Sequence, residues 1–419
     1  MRQHRPPRSR PFESGPLRLG LFSLSGDAQP EWVRVLIAFD KFKGSLSAPQ
    51  ACDLAARALH GLHRDWQLDL CPLTDGGEGF ADILTKAAGG QCLSFKVAGP
   101  RGGFVDASLG MVAPHKIPAS AGHWLQLPDP APKSEKPIAI IEMAAASGLN
   151  LLPPEQHDPW QTTTYGTGQL VRVATELGAA AVLLGAGGSA TNDLGLGALA
   201  ALGLEFRGFD GGKIRPPVPA YWERIASLDG GVFPLIPPIF IACDVTNPLL
   251  GPRGAAAVYG QQKGLRSVDL PRMEAAMERM ARLLCTYCGQ PAMLTETPGA
   301  GAAGGLPFGL LASARARLIP GFDLVAAWLD LKARIAAADV IVTGEGCFDE
   351  SSLSGKGPGA VAAHAGALGK VVHVFAGRCT AAASGMGWHL HAITPTGHPW
   401  EQASREAPEL LARTLRTVF

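Results

Sequence analysis

The 419-residue sequence has no long apolar run and almost no net charge. A membrane-spanning helix needs roughly 18 consecutive apolar residues, and the apolar stretch 179–184 is already closed by Gly185. The 37 basic and 36 acidic residues leave a net charge of +1, which offers no electrostatic attraction for nucleic acids or anionic membranes. We therefore predict a soluble protein that acts on a small molecule, with neither nucleic acid nor membrane as partner.

Clustered cysteines are also missing. The eight cysteines are scattered, and only Cys285 and Cys288 form a C-x-x-C pair. Because a structural zinc site needs more ligands than this pair supplies, we expect no zinc and predict reduced thiols in the cytoplasm. The first thirty residues are rich in Arg, Pro and Ser and lack the apolar core of a secretory signal. We predict that residues 1–30 form a disordered tail, with a transit peptide as the alternative.

What the sequence does contain is a repeated unit of strand, loop and helix. Residues 33–39 form an apolar run that ends at Asp40, and Ser47, Pro49 and Gln50 have the pattern of a helix start with a capping box. Further apolar runs, each followed by a polar or glycine-rich loop, occupy 180–184, 239–242 and 339–343. This alternation predicts parallel sheets with ligands at the carboxyl ends of the strands, and the length favours two domains with a cleft.

Five segments carry the residue types that phosphoryl transfer to an alcohol requires, namely lysines, carboxylates and unhindered glycine amides. They are 40–45 (DKFKGS), 74–79 (TDGGEG), 185–193 (GAGGSATND), 243–248 (CDVTNP) and 343–357. Taken singly, most of them are almost equally well explained as structural turns with capping acids. In the last segment Gly357 follows Lys356 where a Walker A motif has Ser or Thr, so a P-loop is disfavoured.

The loop 185–193 also supports a rival interpretation. It matches the dinucleotide-binding pattern G-x-G-x-x-A, and Glu205 follows it at the distance of a ribose-binding acid. An NAD-dependent hydroxy-acid oxidoreductase is therefore the second function hypothesis, although it leaves the lysines and acids of the other loops without a role. The glycine run 299–305 matches G-x-G-x-x-G, but no convincing strand precedes it. We predict a close-packed loop and helix start there.

Two other segments are predicted to be structural. Residues 114–137 contain six prolines and are predicted to form an inserted loop between two strands. Met273, Met277 and Met280 recur at helical spacing. We expect them to pack in a core rather than to bind a partner.

In combination, the loops resemble the bacterial glycerate kinase family that includes the glycerate 2-kinases. The resemblance is carried, in this order, by 38–47 (AFDKFKGSLS), 74–79, 142–149 (EMAAASGL), 163–168 (TTYGTG), 187–193, 242–249 (ACDVTNPL), 260–264 (GQQKG), 299–305, 344–346 with Asp349, and 355–356. It implies ATP-dependent phosphorylation of D-glycerate to 2-phosphoglycerate, with 3-phosphoglycerate as the alternative product. It also implies ATP and Mg²⁺ as cofactors, and it leaves a homodimer open.

The same resemblance implies an α/β fold class with two α/β domains. The first is a Rossmann- or flavodoxin-like parallel sheet, formed by residues 31–80 and completed by the C-terminal part of the chain, 295–419. The second is an α/β domain inserted at residues 81–294. The strands at 33–39 and 339–343 then belong to one sheet, and loops from both domains meet in a cleft.

Specific roles follow for residues of these motifs. The predicted catalytic residues are Asp193, which accepts or orients the proton of the attacking hydroxyl, together with Lys43 and Asp40. Phosphate or nucleotide binding is predicted for Gly187, Gly188, Ser189, Thr191, Asn192, Gly344, Gly346 and Lys356. Magnesium or substrate hydroxyls are assigned to Asp75, Glu78 and Asp244. Replacing Asp193 by Asn is expected to remove most turnover and to leave the protein folded.

Overall fold

The computed structural model describes residues 32–131, 133, 136–350, 352–354, 357–380 and 387–419. The chain separates into two units, Met1–Trp32 and Val33–Phe419, and the architecture below is that of the second unit. The predicted tail at 1–30 and Lys356 lie outside the described residues. None of the helices in the described segments combines the length and the apolar character needed to cross a membrane.

Strands and helices alternate along the described part of the chain. The strands are β1 (Arg34–Phe39), β2 (Gln67–Leu70), β3 (Gln91–Ala98), β4 (Phe104–Val112), β5 (Ile138–Glu142), β6 (Ala181–Gly185), β7 (Leu204–Gly208), β8 (Ile225–Gly230), β9 (Ile239–Ala242), β10 (Ala316–Ile319), β11 (Val340–Phe348), β12 (Val371–Cys379) and β13 (His389–Ala392). The α-helices are α1 (Ala48–Leu62), α2 (Phe80–Ala87), α3 (Ala119–Gly122), α4 (Ala144–Ser147), α5 (Tyr165–Glu176), α6 (Leu196–Ala201), α7 (Ala255–Tyr259), α8 (Leu270–Cys288), α9 (Leu306–Ser313), α10 (Gly321–Trp328), α11 (Leu331–Ala337), α12 (Gly357–Ala367) and α13 (Trp400–Val418).

The first sheet is entirely parallel, with the strand order β13-β12-β11-β1-β2. Val35 of β1 pairs with Val340 of β11, so the two ends of the folded chain share one sheet, as predicted. Every residue of β1 after Arg34 is buried, because helices cover both faces of a parallel sheet. Ser47 and Gln50 form the predicted capping box at the start of α1.

The second sheet is mixed, with the strand order β10-β9-β6-β5-β4-β3. Its first four strands are parallel, whereas β4 is antiparallel to both β5 and β3. The connection between β3 and β4 is too short for the crossover that parallel strands need. The strand β10 pairs with β9 here, although our boundaries placed 295–419 in the first domain. The chain therefore returns to the first sheet only after β10.

The two sheets share a hydrophobic core. Leu36 of β1 and Ile140 of β5 belong to one buried cluster, and helices α2, α10, α11 and α12 contribute to it. A further cluster under the second sheet contains Met273, Met277 and Met280, which are fully buried as predicted. Residues 114–137 connect β4 to β5, as expected, but include the short helix α3. This shared core joins both sheets into one body. The predicted domain boundaries therefore stay a prediction.

Candidate active site

A cleft of about 310 Å³ opens where loops from both sheets meet. The loop after β1 contributes Lys41 and Lys43, and the turn before α2 contributes Asp75 and Glu78. From the second sheet, the loops after β6 and β9 contribute Gly187, Gly188, Ser189, Cys243 and Asp244. Four of the five segments selected from the sequence thus line one cleft, as expected for the carboxyl ends of strands in α/β folds, whereas no residue of 343–357 is among the residues described on its wall.

Lys41 forms an ion pair that sequence reasoning did not assign. Its Nζ lies 2.9 Å from Asp75 Oδ1 and 3.8 Å from Asp40 Oδ1. Burial acts against the lysine charge, yet the neighbouring carboxylates raise the pKa of Lys41. Desolvation likewise opposes the charge of Asp75, but the Lys41 ammonium lowers the pKa of Asp75. The Asp75 side chain is 46% exposed, so solvent screens the pair and its contribution to stability is modest.

Asp40, a predicted catalytic residue, lies at the end of β1 beside this pair. Its Oδ1 accepts the Lys41 amide at 2.6 Å, and its own amide donates to Gly344 O at 3.0 Å. Burial raises the pKa of Asp40 to about 6, and Lys41 opposes that rise. Asp40 is only 8% exposed and contacts Lys41, but it is not itself one of the residues that line the cleft.

Lys43 and Glu78 face the cleft more openly. Lys43 is exposed and lines the cleft, where an anionic ligand can reach its ammonium. Glu78 is half-buried and accepts a hydrogen bond from Asn150 Nδ2, another residue of the cleft wall. Lys43, a predicted catalytic residue, and Glu78, assigned to magnesium or a substrate hydroxyl, are therefore both on the cleft wall, and their roles stay predictions.

The glycine-rich loop after β6 is divided between the cleft and the interior. Gly187, Gly188 and Ser189 line the cleft, whereas Thr191 and Asn192 are fully buried and lie outside its wall. Thr191 Oγ1 donates to Ala303 O at 3.4 Å. The Gly187 amide, predicted to bind an anion, instead donates to Gly76 O at 3.0 Å. A Cβ at Gly187 would lie 2.6 Å from Gly77 Cα, so glycine is needed where the two loops touch.

Asp193 does not face the cleft. It is fully buried, and its carboxylate accepts the Thr164 amide at 2.7 Å and the Thr164 hydroxyl at 2.9 Å. The Gly195 and Gly197 amides also donate to it, each at 3.2 Å. Burial raises the pKa of Asp193, and these hydrogen bonds oppose the rise. The position predicted for a catalytic base is therefore occupied by a carboxylate that ties α5 to the start of α6.

Gly344 and Gly346 lie within β11 rather than in a loop. A Cβ at Gly344 would fall 1.7 Å from Phe375 O, and one at Gly346 would fall 3.2 Å from the Lys43 amide nitrogen. Both glycines therefore serve the close approach of neighbouring backbone. Between them, burial raises the pKa of Glu345 to about 7, and the nearby charge of Asp40 adds to the rise. Within the described segments, Glu345 Oε1 is buried without a hydrogen-bond partner.

Asp244 combines a place on the cleft wall with a structural contact. Both of its carboxylate oxygens lie 3.0 Å from the Phe322 amide, in the first turn of α10. A negative charge is favourable there because the N-terminus of a helix is positive. The alternative of a capping acid is thus met by a helix 78 residues away rather than by the local turn, while the assignment of Asp244 to magnesium or a substrate hydroxyl stays a prediction.

The predicted magnesium ligands share the cleft without forming a closed metal site. Over the ranges that the structure describes, no three His, Cys, Asp or Glu side chains are placed to hold a metal ion. Asp75 pairs with Lys41, and Asp244 binds the start of α10. Magnesium, however, keeps several waters and is often bound through one or two carboxylates and substrate phosphates. The carboxylates of Asp75, Glu78 and Asp244 on the cleft wall fit an ion that arrives with a nucleotide.

The comparison with known proteins gives one consistent answer. The Glycerate kinase family is matched over residues 35–419. The chain belongs to the glycerate kinase family. A glycerate kinase of Bacillus subtilis is 35% identical over 393 residues, covering 92% of this chain and 97% of the relative. A glycerate 2-kinase of Escherichia coli is 35% identical over 355 residues, covering 83% and 86%.

A solved structure supports the same family. The crystal structure described as a glycerate kinase 2 from Salmonella typhimurium LT2 has a TM-score of 0.69 and 35% sequence identity. The match covers 92% of this chain and 97% of that structure. The predicted α/β fold class and the predicted kinase activity are therefore confirmed, and the oxidoreductase alternative is wrong. Glu205, its ribose-binding candidate, forms ion pairs with Arg207 and Lys213 on the β7–β8 hairpin.

The cleft wall also includes a buried lysine, Lys263. Lys263 belongs to the motif GQQKG at 260–264, and the sequence predicts no specific role for it. It lines the cleft but is 2% exposed, and its Nζ donates to Thr191 O at 2.7 Å. Nothing in the local sequence distinguishes it from an exposed lysine between glycines. Only the tertiary contact with the glycine-rich loop reveals it.

Proposed function

We propose that this glycerate kinase transfers the terminal phosphoryl group of ATP to the 2-hydroxyl of D-glycerate, giving 2-phosphoglycerate. The observation that carries the proposal is the meeting of Lys41 and Lys43 with Asp75, Glu78 and Asp244 in one cleft. Phosphoryl transfer needs cations at the phosphates and carboxylates that bind magnesium and orient the hydroxyl. The name of the Escherichia coli relative, a glycerate 2-kinase, favours the 2-hydroxyl over the 3-hydroxyl.

The lysines of the first loop carry the charge neutralisation in this proposal. Lys43, exposed on the cleft wall, binds the polyphosphate as a point charge. Lys41 is held in place by Asp75 and supplies a second positive charge at a fixed position. Because the transition state of phosphoryl transfer is loose, positioning and charge stabilisation account for most of the catalysis. Asp40, next to Lys41, is the carboxylate that we assign to the hydroxyl proton.

Three carboxylates remain for the metal and for glycerate. Asp75, Glu78 and Asp244 are the residues that we propose to hold a magnesium ion or the substrate hydroxyls. A bound magnesium ion supplies positive charge at the phosphate oxygens. Gly188 and Ser189 form an uncharged part of the same wall. We assign Asp193 a structural role, in which its hydrogen bonds hold the loop that contains Gly188 and Ser189.

The cytoplasm remains the proposed location. The cysteines other than Cys243 are free thiols in the part of the chain that the structure describes. Free thiols are typical of proteins in reducing compartments. This assignment is independent of the reaction that the cleft catalyses.

A coupled assay tests the reaction. The full-length chain is incubated with ATP, Mg²⁺ and D-glycerate, and ADP release is followed. We expect turnover that requires all three components, that L-glycerate does not support, and that chelation of the metal abolishes. NMR of the product is expected to show 2-phosphoglycerate. Absence of ADP release rejects the proposal, and formation of 3-phosphoglycerate rejects the assignment of the 2-hydroxyl.

A further inference from the structure

Lys263 links two distant parts of the fold. It ends the short 3-10 turn Gln261–Lys263 that follows α7. Its Nζ donates hydrogen bonds to Thr191 O at 2.7 Å and to Asn192 Oδ1 at 3.5 Å. Thr191 and Asn192 form the buried end of the glycine-rich loop. Lys263 therefore supports this loop from inside the protein.

The same lysine also reaches the cleft. It contributes to the cleft wall together with Gly188 and Ser189, which belong to the part of the same loop that lines the cleft. Only 2% of its surface is exposed, so solvent contributes little to its stabilisation. A ligand seated against the loop consequently lies near a buried amine.

The surroundings of this amine compensate a positive charge only in part. Its two acceptors are neutral oxygens. The hydrogen-bond donor Nδ2 of Asn192 is also buried without a partner among the described residues. The negative charge of Asp193 favours the ammonium form of Lys263. The oxygens of Asp193, however, already accept hydrogen bonds from Thr164 and from two glycine amides. A buried cation that lacks a dedicated counter-ion is costly.

The ionisation of Lys263 reflects this environment. Burial lowers the pKa of Lys263 to about 7, and the Asp193 charge opposes the effect. Tyr259, at the end of α7, is a neighbouring ionisable group on the cleft wall. The remaining charged groups on that wall are Lys41, Lys43, Asp75, Glu78 and Asp244. An anion that enters the cleft adds the negative charge that the buried amine lacks.

We propose that Lys263 is a positioning residue of the phosphoryl transfer, which holds the glycine-rich loop in its ligand-binding shape and takes up a proton when the nucleotide phosphates enter the cleft. The inference rests on the proposed function, because that function supplies the polyphosphate anion. A nearby anion stabilises the ammonium form over the neutral amine. The proton comes from the solvent, and Lys263 makes or breaks no bond of the substrates.

Calorimetric titration of the full-length chain with Mg²⁺ and a non-hydrolysable ATP analogue tests this proposal. Binding heats measured in two buffers of different ionisation enthalpy give the number of protons taken up. At about pH 8, above its lowered pKa, most of Lys263 is neutral. We expect the wild-type protein to take up protons on binding at about pH 8. At about pH 6 this lysine is already charged, so the contribution of Lys263 to the uptake is expected to disappear.

Two variants isolate the lysine. Lys263→Met and Lys263→Arg are expected to lack the uptake, because methionine does not ionise and arginine keeps its charge. Lys332→Met, at an exposed position of α11, is the matched control and is expected to keep the wild-type uptake. Steady-state assays are expected to show a fall in kcat/KM of about 10²-fold for Lys263→Met, the scale of a misplaced catalytic group.

The outcomes separate this inference from the proposed function. Equal proton uptake by Lys263→Met and the wild type overturns the inference. Wild-type binding without uptake at about pH 8 overturns it as well, and that measurement does not depend on the folding of a variant. If ATP and D-glycerate still yield ADP in that case, the proposed function stands. If the wild-type protein shows no binding and no turnover, both the inference and the proposed function are rejected.

Discussion

Lys41 Nζ lies 2.9 Å from Asp75 Oδ1, and this contact joins the loop after β1 to the turn before α2. Asp40 lies on another side of the same ammonium, at 3.8 Å. One lysine thus balances two carboxylates, of which Asp75 lines the cleft. Its role in the reaction can be separated from any role in stability, because the pair is partly exposed.

Replacing Lys41 by Met is expected to lower kcat/KM by about 10²- to 10³-fold, the cost of losing one group that stabilises transition-state charge. The free energy of unfolding is expected to change little. The matched control is Lys86→Met, which breaks the exposed ion pair between Lys86 and Asp82 on α2 and leaves activity unchanged. Activity of Lys41→Met close to that of the wild type in the coupled assay contradicts the proposed role.

Replacing Asp193 by Asn is expected to destabilise the protein, in contrast to the outcome expected from the sequence. The amide group of asparagine presents its own donors to Thr164 and to the Gly195 and Gly197 amides. We expect a loss of about 3 kcal/mol in the free energy of unfolding, the scale of one or two hydrogen bonds to a charged group. Denaturant unfolding measures it.

Asp65→Asn, at an exposed position after α1, is the control for this experiment and is expected to unfold like the wild type. A stable, correctly folded Asp193→Asn protein that fails only in turnover would restore Asp193 as the base. Such a result requires the carboxylate to reach a substrate that its present position does not contact.

Replacing Gly187 by Ala is expected to separate the loops that line the cleft. The new Cβ would lie 2.6 Å from Gly77 Cα, so either the glycine-rich loop or the turn before α2 must shift. We expect kcat/KM to fall about 10²-fold and the free energy of unfolding to fall by about 1–3 kcal/mol. Gly103→Ala, where a Cβ meets open space, serves as the control in the same assays.

Stability is expected to fall as the pH is lowered, because of a group of stacked histidines. His373 Nδ1 lies 3.0 Å from His391 Nε2, and one ring must donate while the other accepts. Burial, and next the nearby histidines, lower the pKa of His373 and of His391 to about 4. The native state therefore binds fewer protons than the unfolded chain between about pH 6.5 and pH 4, so the free energy of unfolding decreases through that interval.

Denaturant unfolding across this interval measures the effect, which we expect to be on the order of 1 kcal/mol after allowance for solvent screening. The double variant His373→Phe with His391→Phe keeps the stacked rings and is expected to flatten the dependence. His60→Gln, at an exposed position of α1, leaves it intact. Equal slopes for the double variant and the wild type would contradict the assignment.

Local patterns predicted the elements that surround the cleft. The apolar run at 33–39 became β1, and Ser47 with Gln50 became a capping box, because such features depend on nearest neighbours along the chain. The pattern at 344–346 was misjudged as a loop because glycines there serve the packing of β11 against β12. Spacing alone does not distinguish a flexible glycine from one in close contact.

The sequence by itself determined the α/β class, the glycine-rich loops and the family to which the chain belongs, since ordered motifs and strand periodicity are local properties. Only the tertiary structure decided which polar side chains face the cleft. Asp193 is buried at the start of α6. Lys263 contacts Thr191 of the glycine-rich loop although the two residues are 72 positions apart. Burial and contacts between distant segments determine these positions, and neither can be read from the spacing of residues along the chain.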